Sequence, residues 1–289
     1  MFEKVEAFYR PDNVREALRL LQGGKGQARV LAGGTDVVVE GDDSVRILID
    51  ITHAGLSYIR RRGGVWAIGA TTTMAELEES EMGCTLAGGL LSRAARTCGS
   101  VAVRNLATLG GNMANGSPAA DMATPLLVLD AAVVMVDARG RRKLPLAEYL
   151  DHARTTKYSR SLLVEVVVPD PPNGKGCRWS FQKLGRTGVD ISLVNVAAGL
   201  QLDSRGRVKW ARIALGSVAP TPMRATGAEL LMTGRGVDQT LLAEIAAEVA
   251  REVRPISDVR ASAEYRREIS SVLTRRALEE CSVSEGCLL

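Results

Sequence analysis

Aromatic side chains and histidines are scarce in this chain. Phe, Trp and Tyr make up 4% of its 289 residues, and its two histidines, His53 and His152, lie far apart. A histidine-ligated zinc enzyme and a Ser-His-Asp hydrolase both need imidazole placed beside partner groups, so neither is expected. Five cysteines (Cys84, Cys98, Cys177, Cys281, Cys287) are scattered without any C-x-x-C spacing. Clustered thiolates hold iron–sulfur and structural zinc sites, so free thiols are expected and no metal on this chain. Long apolar runs are missing too. The longest, Pro125 to Val136, spans about a dozen residues and carries Asp130, well short of the roughly 20 needed to span a bilayer. The opening Met1 to Glu6 has no apolar stretch of the secretory kind. A cytoplasmic protein is expected.

Charge of one sign is also lacking. Thirty-seven basic residues face 33 acidic ones, a formal net charge of +4. Basic clusters do occur, at Arg60-Arg61-Arg62 and around Arg139 to Lys143. Nucleic-acid binders join such clusters to a docking motif or to stacking aromatics, and neither is evident. The clusters read as solvated turns or as contacts to partner proteins. No nucleic acid is expected as a ligand.

Glycine is what the chain has in excess, 29 of 289 against a typical frequency near 7%. Seven of these fall from Gly83 to Gly116. Glycine allows backbone turns and close approaches that a Cβ forbids, so this stretch is where a site is sought.

The pattern along the chain alternates between strands and helices. Val5 to Tyr9, Ala28 to Ala32 and Ile47 to Ile51 read as strands, with a helix after Asp12 or Asn13 that carries Val14, Ala17, Leu18 and Leu21 on one face. Next come a strand at Val65 to Gly69 and a capping box at Thr73 and Glu76. A helix follows over residues 85–98, then a short helix at Pro125 to Leu129 and strands at Val133 to Asp137 and Leu162 to Val168. Pro169 to Gly174 has the composition of a linker. Beyond it, Arg178 to Leu184, Val194 to Leu202 and Val208 to Leu215 read as strands, the last two joined by a hairpin turn at Asp203 to Gly206. Leu241 to Val253 and Ala261 to Glu280 read as helices. The expected domains are 1–58, 59–172 and 173–289.

Two glycine loops stand out. Leu31-Ala32-Gly33-Gly34-Thr35-Asp36 follows a strand, and Thr108-Leu109-Gly110-Gly111-Asn112 is followed by Gly116-Ser117-Pro118-Ala119-Ala120-Asp121. Paired glycines let successive amides converge on an anion, although a tight turn explains them equally well. Asp121 is placed either to cap a helix or to accept hydrogen bonds from ribose hydroxyls. Neither G-x-G-x-x-G nor a P-loop occurs. Two such loops about 75 residues apart point to a dinucleotide wedged between two subdomains.

These residues resemble a known family. Ala32 to Asp36, Arg104-Asn105 leading into Thr108 to Asn112, Ser117 to Asp121, Lys183-Leu184-Gly185-Arg186 with Asp190-Ile191, and Arg260 to Arg267 are similar, in order, to the FAD-binding medium subunit of the molybdenum hydroxylases. That family includes xanthine dehydrogenase, aerobic carbon monoxide dehydrogenase and nicotinate dehydrogenase. The resemblance implies an α+β protein: a two-subdomain FAD-binding domain of the vanillyl-alcohol-oxidase (PCMH) type followed by a C-terminal α+β domain. It implies noncovalent FAD, with the diphosphate held by Val30, Leu31, Ala32, Gly33, Gly34, Thr35 and Asp36 and by Thr108, Leu109, Gly110, Gly111 and Asn112. Ser117 and Asp121 are further implied contacts, and Leu163 packs on the cofactor. The family often has a flavin-contacting lysine where this chain has Gln182. Either Lys183 takes that role or the contact is lost, since strand alternation points the two side chains to opposite faces. By the same resemblance, a large subunit holds molybdopterin, a small subunit holds two [2Fe–2S] clusters, and this chain passes their electrons to NAD or another acceptor, with no catalytic side chain of its own. A stand-alone flavin oxidoreductase of the same fold is the alternative.

Overall fold

Short apolar runs build the first sheet. Strands Ala7–Tyr9, Ile47–Asp50 and Ala28–Leu31 pair in parallel with Ile47–Asp50 in the middle, where Ile49 is wholly buried. The computed structural model describes residues 4–171 and 177–282. The helix Val14–Gly23 joins the outer strands. Asn13 rather than Asp12 caps it, its side chain accepting from the Glu16 amide.

The second sheet is antiparallel, in the order Ile59–Arg62, Val65–Gly69, Leu162–Pro169, Ala132–Asp137, Gly140–Pro145. The two basic clusters, expected as solvated turns or partner contacts, lie mostly on its outer strands, with Arg139 in the turn before one of them. Arg60 to Arg62 form one edge and Arg141 to Lys143 the other, where charge discourages pairing with another chain. Thr73 and Glu76 form the expected capping box on the helix Met74–Glu79.

These two sheets make up one unit: the described residues up to Ser80, together with Ser100–Gly116 and Asp130–Pro169. The other unit takes Glu81–Gly99, Ser117–Leu129 and the described residues from Asp170 onward. In this second unit the helix expected over residues 85–98 is broken. Glu81–Thr85 and Leu90–Arg96 are helical, and between them Ala87, Gly88 and Gly89 all take positive φ. Successive left-handed residues cannot continue a right-handed helix.

The second unit's sheet runs Met223–Arg224, Val208–Gly216, Val194–Leu202, Cys177–Leu184, all antiparallel. Helices Gln239–Glu252 and Ala263–Ser282 bury Leu241, Ile245, Val249, Leu273 and Ala277 in one cluster with Val196, Ala198, Leu200, Ile213 and Leu215. On the central strand, Gly199 leaves room for two indoles. A Cβ there would stand 2.4 Å from Trp179, and Trp179 meets Trp210 edge to face at 5.3 Å. Of the expected linker, Pro169 ends a strand and Asp170 and Pro171 follow outside any element. Residues 172–174 lie outside the described residues. Among the described residues, no helix is long and apolar enough to cross a membrane.

Candidate functional site

The first glycine loop leaves its strand at Leu31 and enters the one-turn helix Val37–Glu40. Its path needs glycine twice. A Cβ on Gly33 would stand 1.8 Å from the Leu106 carbonyl oxygen, and Gly34 has φ +72°. Among the described residues, none accepts a hydrogen bond from the backbone N–H of Gly33, Gly34, Thr35 or Asp36. Four successive unpaired amides at a turn with a left-handed residue are the makings of an anion nest. The Asp36 carboxyl is raised, by burial first and then by the nearby Glu40 charge.

The second loop is built differently. It is the start of a helix, Leu109–Asn115, capped by Thr108, whose hydroxyl accepts from the Gly111 amide at 3.1 Å. The amides of Leu109 and Gly110 donate to the carbonyls of Thr72 and Ala70, and Asn112 donates to Thr108. Their N–H groups are thus already engaged within the chain. Gly110 has a packing reason as well, since a Cβ there would stand 2.6 Å from the Ala70 oxygen. This loop supplies a closely approaching wall rather than free amides.

The two loops line one cavity of about 850 Å³ in the first unit. Its lining includes Val30, Ala32, Gly33, Gly34, Thr35 and Asp36 from the first loop, Thr108, Gly110 and Gly111 from the second, and Leu163 from the strand Leu162–Pro169. Leu31, Leu109 and Asn112 belong to the same elements without lining it. The size falls within the range of small-molecule sites.

Ser117, Asp121 and Lys183 belong to the second unit. Asp121 does not cap the helix Ala123–Val128. Its carboxylate is buried, 2.6 Å from the Lys183 ammonium, and also accepts from Ser192. Burial raises the Asp121 carboxyl, while Lys183 and Ser192 pull it back. Lys183 donates to the Thr97 carbonyl as well, whereas Gln182 turns to Glu280 and Ser180. The two neighbours thus diverge as strand alternation requires.

Sequence reasoning missed one wall of the cavity. Tyr149, Arg154, Tyr158 and Arg160 line it, and Tyr149 stacks on Tyr158 at 5.2 Å. Burial, and then Tyr158, push the Tyr149 phenol up. Their segment is polar and aperiodic, so its only signal was two tyrosines in an aromatic-poor chain.

The fit to a dinucleotide can be judged from polar groups without partners. Beyond the four amides, Thr71 Oγ1, Asn112 Oδ1 and the Tyr158 hydroxyl are buried in this unit with no hydrogen-bond partner among the described residues. Thr71 adjoins Ala70 and Asn112 adjoins Gly111, both cavity-lining. Unmet polar groups are costly in a finished interior. Gathered around a cavity with an anion nest, they suit a large polar ligand that carries phosphate.

The chain matches the family model for the FAD binding domain in molybdopterin dehydrogenase over residues 2–171. It matches that for the CO dehydrogenase flavoprotein C-terminal domain over residues 179–281. It is 31% identical over 290 residues to the putative xanthine dehydrogenase FAD-binding subunit of Escherichia coli, covering 97% of each chain. It is 32% identical over 279 residues to the carbon monoxide dehydrogenase medium chain of Afipia carboxidovorans, covering 94% of this chain and 95% of that one. Among solved structures, a chain of the reconstituted CO dehydrogenase from Oligotropha carboxidovorans superposes with a TM-score of 0.91 at 29% identity, covering 98% and 99% of the two chains.

Proposed function

The chain belongs to the FAD-binding subunits of the molybdopterin dehydrogenases, an oxidoreductase family, and on that premise we propose that it is the electron-transfer subunit of such a complex. In this reading it takes electrons from [2Fe–2S] clusters on a small partner subunit and passes them to NAD or another soluble acceptor. A large partner subunit with molybdopterin oxidises the organic substrate. FAD supplies the ability to take electrons singly and release them in pairs; the chain supplies a place to hold it.

The observation that carries this reading is the run of unpaired amides from Gly33 to Asp36 on an 850 Å³ cavity. Those amides would hold the diphosphate. Thr108, Gly110 and Gly111 would form the wall against it, and Leu163 would give an apolar contact. Asp121 and Lys183 are joined to each other, so we assign them a shared positioning role in their own unit. The five cysteines, scattered without close spacing, fit a reducing compartment and support a cytoplasmic location.

Flavin released by heat from the purified full-length chain and run against standards tests the cofactor. FAD is expected; recovery of FMN, or flavin retained on the denatured chain, would overturn the reading. The acceptor has its own test. Mixing the reduced, flavin-loaded chain with NAD without oxygen should restore the absorbance of oxidised flavin, and no recovery excludes NAD as acceptor.

A further inference from the structure

Edge protection accounts for only part of the basic residues near Gly140. On the outer strand Gly140–Pro145, Arg141 turns to the buried Glu165 at 3.0 Å, and alternation puts Lys143 on that same face. Arg142 faces the other way, into a second concavity of about 400 Å³. There it meets Arg139 from the preceding turn and Lys157 and Arg160 from a different segment, with Gln22 and Asp137 beside them. Four cations share this concavity with one carboxylate.

That carboxylate is already committed. Asp137 is 3.4 Å from the Arg142 guanidinium and accepts the backbone N–H of Arg139 at 2.8 Å. Arg142 and Lys157 both lie against the Tyr158 ring, 5.5 and 5.4 Å from its centroid. The side chains of Arg139 and Arg160 have no partner among the described residues. Like charges converging on a small concavity repel one another, and a bound anion reverses the sign of that interaction. Guanidinium forks match phosphate oxygens in pairs. The volume falls within the range of small-molecule pockets, and its concave form suits a compact anion better than a flat acidic protein surface.

We propose that Arg139, Arg142, Lys157 and Arg160 form a binding site for a small organic di- or polyphosphate, separate from the nest at Gly33 to Asp36. Arg160 and Ser161 line both cavities, so an occupant here adjoins the wall of the larger one. The inference stands on local charge and shape and does not depend on what the larger cavity holds.

The test titrates pyrophosphate and ADP into the full-length, flavin-loaded chain by calorimetry at roughly 50 mM salt, where screening is weak. Saturable one-to-one binding is expected, with a Kd below about 1 mM. Equal affinities mean that the phosphates alone are recognised; tighter ADP means that its nucleoside part is held too. Arg139→Gln and Lys157→Gln, both exposed and outside the larger cavity, should each weaken binding about tenfold. Lys143→Gln, on the same strand but outside the concavity, should leave it unchanged. Flavin content, measured in parallel, reports on the larger cavity separately. The proposal is overturned if neither compound saturates, if Lys143→Gln weakens binding as much as Arg139→Gln, or if a hexaglutamate peptide binds more tightly than either.

Discussion

One methyl group at residue 33 probes the nest. The Leu106 oxygen that a Cβ would strike belongs to the backbone and cannot swing aside. Gly33→Ala should cost about 1–3 kcal/mol of stability, as overpacking does, and weaken FAD at least about tenfold. Gly23→Ala, at a helical position with nothing within 4 Å, should be neutral or stabilising by about 0.5–1 kcal/mol. Urea melts and FAD titrations read both; unchanged FAD affinity in folded Gly33→Ala would remove this loop from the site. In the second unit, Lys183→Met strands the buried Asp121 carboxylate. A loss of about 3–5 kcal/mol is expected at neutral pH. With its ammonium partner gone, the Asp121 carboxyl rises further. The deficit should therefore grow as pH rises above the ordinary carboxylate range, from the raised value that Asp121 has beside Lys183 toward the higher one it takes without it, and shrink toward acid. A deficit that is flat from pH 4 to 8 would mean that the pair is not what holds this region. Both glycine pairs are visible in the sequence, and Gly34 answers a local demand with its φ of +72°. The engagement of the Gly110 amide by Ala70 is not visible there, since it joins residues 40 apart.

Elements were legible where their signals were local. The Thr73–Glu76 capping box and the hairpin around Asp203 to Gly206 formed as their sequences dictate. The stretch 85–98 did not, because apolar spacing at Leu86, Leu90, Leu91 and Ala94 suits a continuous helix while Gly88-Gly89 permits a reversal. The turn before the last helix, Ala263–Ser282, gives a pH-dependent case. Burial would raise the Asp258 carboxyl, but the amides of Arg260 and Ala261 and the Arg266 guanidinium outweigh it and hold it down to about 2. Its folded value lies below the unfolded one, so its contribution is complete above about pH 4 and drains away as pH falls toward 2. Thermal melts of Asp258→Asn should therefore lie below wild type near neutrality and converge with it by about pH 2. Parallel curves across that range would show that the turn does not depend on this charge.

For the whole molecule, the family was legible because five short motifs occur in order along the chain. The grouping of residues 81–99 and 117–129 with the C-terminal segment was not, because it rests on contacts such as Lys183 with Thr97 and Asp121. The proposed division of labour predicts that the purified, FAD-loaded chain carries no stoichiometric iron and oxidises no purine unaided. Elemental analysis and a purine assay check this, and iron at one or more atoms per chain would contradict it. The indole pair around Gly199 also gives the molecule a built-in optical marker. Edge-to-face chromophores 5.3 Å apart couple their transitions, so Trp179 and Trp210 should give a paired circular-dichroism band that reports on the second unit's sheet. Trp66, on the strand Val65–Gly69 beneath Arg61, is the remaining one of three tryptophans and lies in the unit with the large cavity. Its emission should dim as FAD binds while the coupled band stays fixed, so that one cuvette reads cofactor loading and the integrity of the second unit as separate colours.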